Sequence, residues 1–260
     1  MKKLIAMLLA LTMVLAFAGC AKTEAPAETT AAPVETTAAA VVETEAPETE
    51  APAAAVMTYE EYAAIEVAEG DFVPVIVETY VQGHQSWWDN KITVYCQSPE
   101  GACFVYDMKC SEEDAAKLVP GTKIRVSGYK GDWAGEVEIM DGTFEFVDDG
   151  ETYIAEALDV TDLLGTDALI EHQNEFVSFT GMTVEAIEYK NGEPGDDIYV
   201  TLSKDGASYS FCVEVYLTGT DSDVYTTVGQ LNVGDTVNVE GFLYWYEGVN
   251  PHITAISVAE

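Results

Sequence analysis

Leu118-Val119-Pro120-Gly121-Thr122-Lys123-Ile124-Arg125-Val126-Ser127-Gly128-Tyr129 is answered 113 residues later by Leu231-Asn232-Val233-Gly234-Asp235-Thr236-Val237-Asn238-Val239-Glu240-Gly241-Phe242. Leu118, Gly121, Ile124, Val126 and Gly128 fall on Leu231, Gly234, Val237, Val239 and Gly241. Apolar residues two apart, bounded by glycines, read as a half-buried β-strand. Trp133 and Gly135 then fall on Tyr246 and Gly248.

The match extends upstream. Pro99-Glu100-Gly101-Ala102 aligns with Lys204-Asp205-Gly206-Ala207 at an offset of 105, and Phe72-Val73-Pro74-Val75 with Phe176-Val177-Ser178-Phe179 at 104. A drifting offset is what loop insertions produce. Two long copies make a tandem duplication, not a solenoid. The pattern predicts five strands in the first copy, over 72–81, 91–97, 102–109, 122–130 and 135–147. The second copy repeats them over 176–186, 197–203, 207–216, 235–244 and 250–258. In the first copy Ser111, followed by Glu112, Glu113 and Asp114, predicts a capped short helix before the fourth strand. In the second, 221–231 is a less regular insert, and 159–175 is a candidate helical lead-in. The hairpin of strands two and three is expected to pair Ser98 with Ala102 across a three-residue turn ending in Gly101. That register sets Cys96 opposite Phe104 and Val94 opposite Tyr106. Ile198, Val200 and Leu202 alternate with Tyr199 and Thr201, so both faces of that strand are expected to be buried, against the other domain.

Five strands, a short helix after the third, and the repeated G-x-x-V-x-V-x-G-like strand resemble the OB-fold, a five-stranded Greek-key barrel. The predicted fold class is therefore mainly β, as two tandem five-stranded OB-like barrels over 57–150 and 151–260. An immunoglobulin-like sandwich is the rival, and the strand count and the helix weigh against it.

The N-terminus has a different character. Lys2 and Lys3 precede a 14-residue apolar run, Leu4 to Phe17. That is short for a membrane span and right for a signal peptide. Ala16-Phe17-Ala18-Gly19-Cys20 resembles the lipobox of bacterial lipoproteins, with Phe17 where Leu is usual. The resemblance implies a signal peptide over 1–19, lipidation at Cys20, and a place at the outer face of the cytoplasmic membrane or the cell surface. Residues 20–56 follow as an Ala/Thr/Glu/Pro stalk with no aromatic residue, a composition that stays solvated.

The chain has 46 acidic and 11 basic residues among 260, a net charge of −35. Residues 57–260 alone hold 39 acidic and 8 basic residues, a net of −31. The charge therefore belongs to the folded surface. Counterion release on binding nucleic acid needs the Lys and Arg that are scarce here, so no nucleic-acid partner is expected. The expected partners are a membrane, through the lipid anchor, and a glycan or peptide.

The OB-fold resemblance implies a ligand face on strands two and three, framed by the loops after strands one and four. The first loop holds His84, Trp87, Trp88 and Asp89, and the second holds Trp133. The matching positions of the second copy are Tyr189, and Tyr244, Trp245, Tyr246 and Asn250. Flat rings beside Asp, Asn and Gln suit a sugar ring or an extended peptide; the competing reading is that these rings cap the barrel ends. Trp87 and Trp88 are adjacent, so on a strand one of them faces outward.

No H-E-x-x-H, G-x-S-x-G or phosphate-loop motif occurs, and the chain is expected not to be an enzyme. Cys96, Cys103, Cys110 and Cys212 follow no zinc spacing. The expected register puts Cys96 and Cys103 on opposite faces, leaving Cys103–Cys110 as the conceivable disulfide. No cofactor is expected; Asp148-Asp149-Gly150-Glu151, Asp196-Asp197 and Asp221-Ser222-Asp223 offer oxygen ligands for calcium, with a solvated acidic surface as the simpler reading. Two further functions stand beside ligand binding: a structural or accessory envelope protein working through protein contacts, and a secreted hydrolase.

Overall fold

The computed structural model describes residues 55–259. The expected signal peptide, Cys20 with its expected lipidation, and most of the expected stalk lie outside the described residues. The fold is mainly β. Five strands form a closed barrel: β1 (Val73–His84), β2 (Lys91–Ser98), β3 (Gly101–Lys109), β4 (Lys123–Trp133) and β5 (Glu136–Phe146). Their order round the barrel is β1-β2-β3-β5-β4. Antiparallel pairing of β1 with β4, from Val73↔Lys130 to Tyr80↔Lys123, closes it. Alternate residues Val75, Val77 and Val81 point into a dry core with Ile92, Val94, Ile124 and Val126. Before β1 comes α1 (Tyr59–Ala63), capped by Thr58. It is held to the barrel by Lys130, whose Nζ donates to the Tyr62 and Ile65 carbonyls, both at 2.8 Å. The short helix foreseen between strands three and four is α2 (Glu112–Ala115), with the Ser111 side chain accepting from the Asp114 N–H.

The second sheet starts with β6 (Leu158–Asp159) and continues with β7 (Phe176–Tyr189), β8 (Ile198–Lys204), β9 (Ala207–Val213), β10 (Thr236–Phe242) and β11 (His252–Val258). Its order is β10-β11-β9-β8-β7-β6, with an additional pairing of β10 to β7. The β9 to β11 link is one parallel pair, His252↔Cys212. β9 ends at Val213, short of the expected 216, and α3 (Val215–Thr218) follows it; α4 (Asp223–Val228), capped by Ser222, lies in the 221–231 insert. The lead-in is two 3-10 turns, Thr161–Leu163 and Asp167–His172, in place of the expected α-helix. Both sheets belong to one compact unit.

The repeated glycines have a geometric cause. Gly128 sits where the β4–β5 register slips, between Ser127 and Tyr129, and Gly241 where the β10–β11 register slips, between Glu240 and Gly241. These are equivalent β-bulges, which bend the strand and bring the neighbouring backbone close. A Cβ at Gly128 would lie 2.6 Å from the Ile139 side chain and 2.8 Å from the Met140 carbonyl, and one at Gly241 would run into the His252 carbonyl.

The first hairpin corrects the expected register. Ser98 pairs with Gly101, not Ala102, across the two-residue turn Pro99-Glu100. Its counterpart also has two turn residues, Asp205 (φ 52°) and Gly206 (φ 85°), between Lys204 and Ala207. Left-handed conformations at both positions match the right-handed twist of the strands. The one-residue shift changes which side chains face each other. Cys96 lies directly opposite Cys103, and both point into the first core. Cys96, Cys103, Cys110 and Cys212 are all free thiols, so the Cys103–Cys110 pair is not joined. The shift also leaves Tyr95 opposite Phe104 on the outer face of the barrel. The strand buried on both faces is therefore β2 of the first copy, where Ile92 to Cys96 are all buried.

Candidate functional site

The outer face of β2 and β3, expected to be the open ligand face, is largely covered. The ring of Phe242 stacks on Tyr95, and Tyr244 meets Phe104 edge-on at 5.4 Å. Phe176 and Leu217 complete this small apolar junction. Polar contacts surround it. The Tyr95 hydroxyl lies 2.6 Å from His252 Nδ1 and 3.4 Å from Glu214 Oε2. Gln85 Nε2 donates to both carboxylate oxygens of Glu214, at 2.7 and 2.9 Å. Glu136, fully buried, accepts from Gln173 Nε2 (3.2 Å) and from the Trp245 N–H (2.9 Å). Burial pushes the Glu136 carboxyl well above its usual range.

The margin of that face stays open as a cleft of about 410 Å³. Its walls are Trp88 from the loop after β1, Tyr106 from β3, and Tyr216 from α3; Ile92 and Thr93 of β2 contribute to its lining. The three rings are 79 %, 47 % and 61 % exposed. The polar lining is Gln85, Ser86, and the ion pair Lys91–Asp107 at 3.0 Å. Both halves of the duplication build this site. Ser86 donates from its backbone N–H (2.6 Å) and its hydroxyl (3.2 Å) to the Tyr216 carbonyl, fixing the loop of one to the helix of the other.

The predicted residues separate into groups. Asp89 (φ 48°) and Asn90 (φ 61°) form a tight turn between Trp88 and Lys91, which bond each other through their backbones. Trp88 projects outward from this turn into the cleft. Trp87 turns inward, packs on the first core and donates from its indole N–H to the Cys110 carbonyl at 2.9 Å. Trp133 and Tyr246, from the corresponding loops of the two copies, meet at 5.2 Å and remain half-exposed, but they do not line the cleft. Trp245 packs on the second core. Tyr244 belongs to the junction and also stacks on His252 at 4.2 Å. Tyr189 packs on the second core, 6.4 Å from Tyr225. His84 contacts the Gln85 carbonyl through Nδ1 and lines a separate groove with Phe176 and Phe242. Asn250 is half-buried near Tyr244, its N–H donating to the Tyr244 carbonyl.

Sequence reasoning missed Tyr106, Tyr216, Lys91 and Asp107. Tyr106 had been set opposite Val94 in the shifted register, and Tyr216 at the end of a strand. Among the described residues no group of three or more His, Cys, Asp or Glu is placed to hold a metal ion. Of the candidate calcium ligands, Asp149 and Glu151 contact Lys123 at 2.6 Å each, and Asp197 contacts Lys190 at 2.9 Å.

No protein-family model matches the chain, and no curated protein matches it either. Solved structures do resemble it at low identity. A murine DNA-binding protein bound with double-stranded DNA has a TM-score of 0.35 and 12 % identity, over 72 % of this chain and 96 % of that one. The p204 HINb domain has a TM-score of 0.35 and 14 % identity, over 73 % and 100 %. The asparaginyl-tRNA synthetase from Pyrococcus horikoshii has a TM-score of 0.27 and 17 % identity, with 33 % of this chain covering 19 % of that one. This is an OB-type β-barrel protein. Against the expectation of no nucleic-acid partner, the murine protein and a further neighbour, the Ifi202 HINa domain, were solved with double-stranded DNA. Net charge sums over a whole surface and does not fix what one local site takes.

Proposed function

We propose that this chain is a non-catalytic, exported binding module whose ligand is a glycan. Its binding site is the cleft of Trp88, Tyr106 and Tyr216. The observation that carries the reading is three exposed rings from three separate segments converging on one cleft beside Gln85, Ser86, Lys91 and Asp107. An isolated exposed aromatic needs no explanation, but three around one concavity do. Apolar sugar faces stack on such rings, while hydroxyls meet the flanking amide, hydroxyl and charged groups. Lys2, Lys3, the apolar run and Cys20 support a place at the outer face of the cytoplasmic membrane or the cell surface.

The test is a glycan panel with the full chain, alongside Trp88→Ala and Tyr216→Ala variants, a peptide panel and a double-stranded DNA oligomer. Retention of a glycan that both substitutions weaken supports the reading. A chain that holds only peptides or DNA, or whose glycan binding ignores both substitutions, defeats it.

A further inference from the structure

Cys96 of β2 and Cys103 of β3 are direct strand partners, two steps from the pair Ser98↔Gly101 that closes the hairpin. Directly opposed side chains share one face of the sheet, and here that face is the first core. The two residues are 0 % and 4 % exposed. Opposed Cα atoms of antiparallel strands lie about 4.5–5.5 Å apart, within the roughly 4.4–6.8 Å that a disulfide spans. Cys110 lies beyond the far end of β3, and Cys212 lies on β9 of the second sheet. Neither competes for the pair.

Helix α1 covers the same core. Tyr62 is buried in it with both thiols, and Tyr59 packs against it. The Tyr59 ring lies so close over Gly101 that a Cβ there would run into it. Lys130 fastens α1 through the Tyr62 and Ile65 carbonyls, with its ammonium 4.4 Å from the centre of the Tyr62 ring.

We propose that Cys96 and Cys103 are a covalent modification site, closing a cross-strand disulfide inside the first barrel that α1 then seals. The inference stands apart from the glycan reading. It takes from the expected export only the compartment, where disulfides persist. The oxidant is a second disulfide. The thiolate of one cysteine attacks a sulfur of the oxidant, forming a mixed disulfide and releasing one thiolate. The thiolate of the other cysteine attacks the protein sulfur of that mixed disulfide, forming the Cys96–Cys103 bond and releasing a second thiolate. The protein pair loses two electrons and two protons, and the oxidant leaves as two thiols. The free thiols of the described structure are the reduced state of this couple.

The test uses the full chain carrying Cys20→Ser, which removes the one cysteine outside the described residues. It is reduced, unfolded in urea and refolded in glutathione with glutathione disulfide, so that access to the core is no barrier. Free thiols are capped with N-ethylmaleimide in denaturant, and the peptides are mapped by mass spectrometry. The expected product joins the peptides of Cys96 and Cys103 and leaves Cys110 and Cys212 capped. The linked chain should show a higher urea midpoint than the reduced chain, a shift absent from the Cys96→Ala/Cys103→Ala double variant. Once folded, the link should resist dithiothreitol. Lys130→Met, which frees the α1 carbonyls, should speed its reduction roughly tenfold, with Cys212 still protected from N-ethylmaleimide. Thr58→Ala removes the exposed cap of α1 and should act in the same direction. Cys96 and Cys103 both capped after refolding, a lasting glutathione adduct on either, or a link to Cys110 or Cys212 overturns the site. Reduction no faster in either α1 variant overturns the seal.

Discussion

Tyr95 of the first barrel and Phe242 of the second sheet lie ring on ring, with centroids 4.3 Å apart and planes 13° from parallel. Both are buried, and the Tyr95 hydroxyl reaches back to His252. The duplicated halves are therefore joined through the face that the fold otherwise presents to a ligand. Removing the Phe242 ring leaves a void against Tyr95, Phe104 and Phe176, and Phe-to-Ala changes of this kind cost about 3–5 kcal/mol. Phe242→Ala should lower the urea midpoint accordingly and weaken any cleft ligand, because Tyr216 reaches the cleft only while the halves are docked. Tyr95→Phe keeps the stack and should cost only about 1 kcal/mol. Equal losses from the two would show that the hydroxyl network, not the stack, holds the junction.

Glu136 gives the junction a pH dependence of definite sign. Its folded-state carboxyl is held well above the usual range, by burial first. Between the unfolded value and the raised folded value, the native state binds more protons than the unfolded chain. Stability contributed by the protonated group is complete below about pH 4.3 and falls as pH rises, by up to about 1.4 kcal/mol per unit. Glu138 acts with the same sign up to about pH 7. Glu136→Gln should therefore flatten the fall in urea stability between pH 4.5 and 7 relative to the native chain. An unchanged slope in the variant would mean that Glu136 is ionised in the fold.

The repeat made the barrel legible. Glycines at bulges, valines alternating on β4 and β10, and the Ser111 cap all act locally, so pattern reading reaches them. The junction was not legible, because Tyr95 and Phe104 look the same in sequence whether they face a core or a second sheet. One residue of register error was enough to hide them. The expected three-residue turn placed Cys96 opposite Phe104 and sent Tyr106 inward, removing one wall of the cleft. Tyr216 could have been found from Val215-Tyr216-Leu217, three consecutive apolar residues that break strand alternation. Trp88 was found because adjacent tryptophans cannot both turn inward from one strand.

The corrected register also bears on the thiols. Cys96 and Cys103 face each other inside the barrel, and their mutual hydrogen bond, then burial, pushes the Cys96 thiol well up. Burial pushes Cys110 up to about 11 and raises Cys212. Thiolate is the reactive form, so an iodoacetamide pulse at pH 8 should leave Cys96, Cys110 and Cys212 unlabelled in the native chain. The same pulse in denaturant should label all three. Native labelling of Cys96 as fast as in denaturant would show that β2 and β3 are not paired as described.

The two bulge glycines offer the sharpest test of the duplication. A Cβ at Gly241 would meet the backbone carbonyl of His252, which cannot swing aside as a side-chain end can. At Gly128 the nearest obstacle is the Ile139 side chain, with the Met140 carbonyl just behind it. Overpacking of this kind costs roughly 1–3 kcal/mol where neighbours can shift, and more where they cannot. Gly241→Ala should therefore destabilise more than Gly128→Ala, although the positions are equivalent in the repeat. Gly241→Ala also displaces His252, which bonds Tyr95 across the junction, so its effect should extend to the docking of the halves. Denaturation of both variants beside Phe242→Ala checks this. If Gly241→Ala combined with Phe242→Ala costs the simple sum of the two, the bulge and the junction are independent; a smaller cost shows that they are coupled through β10 and β11.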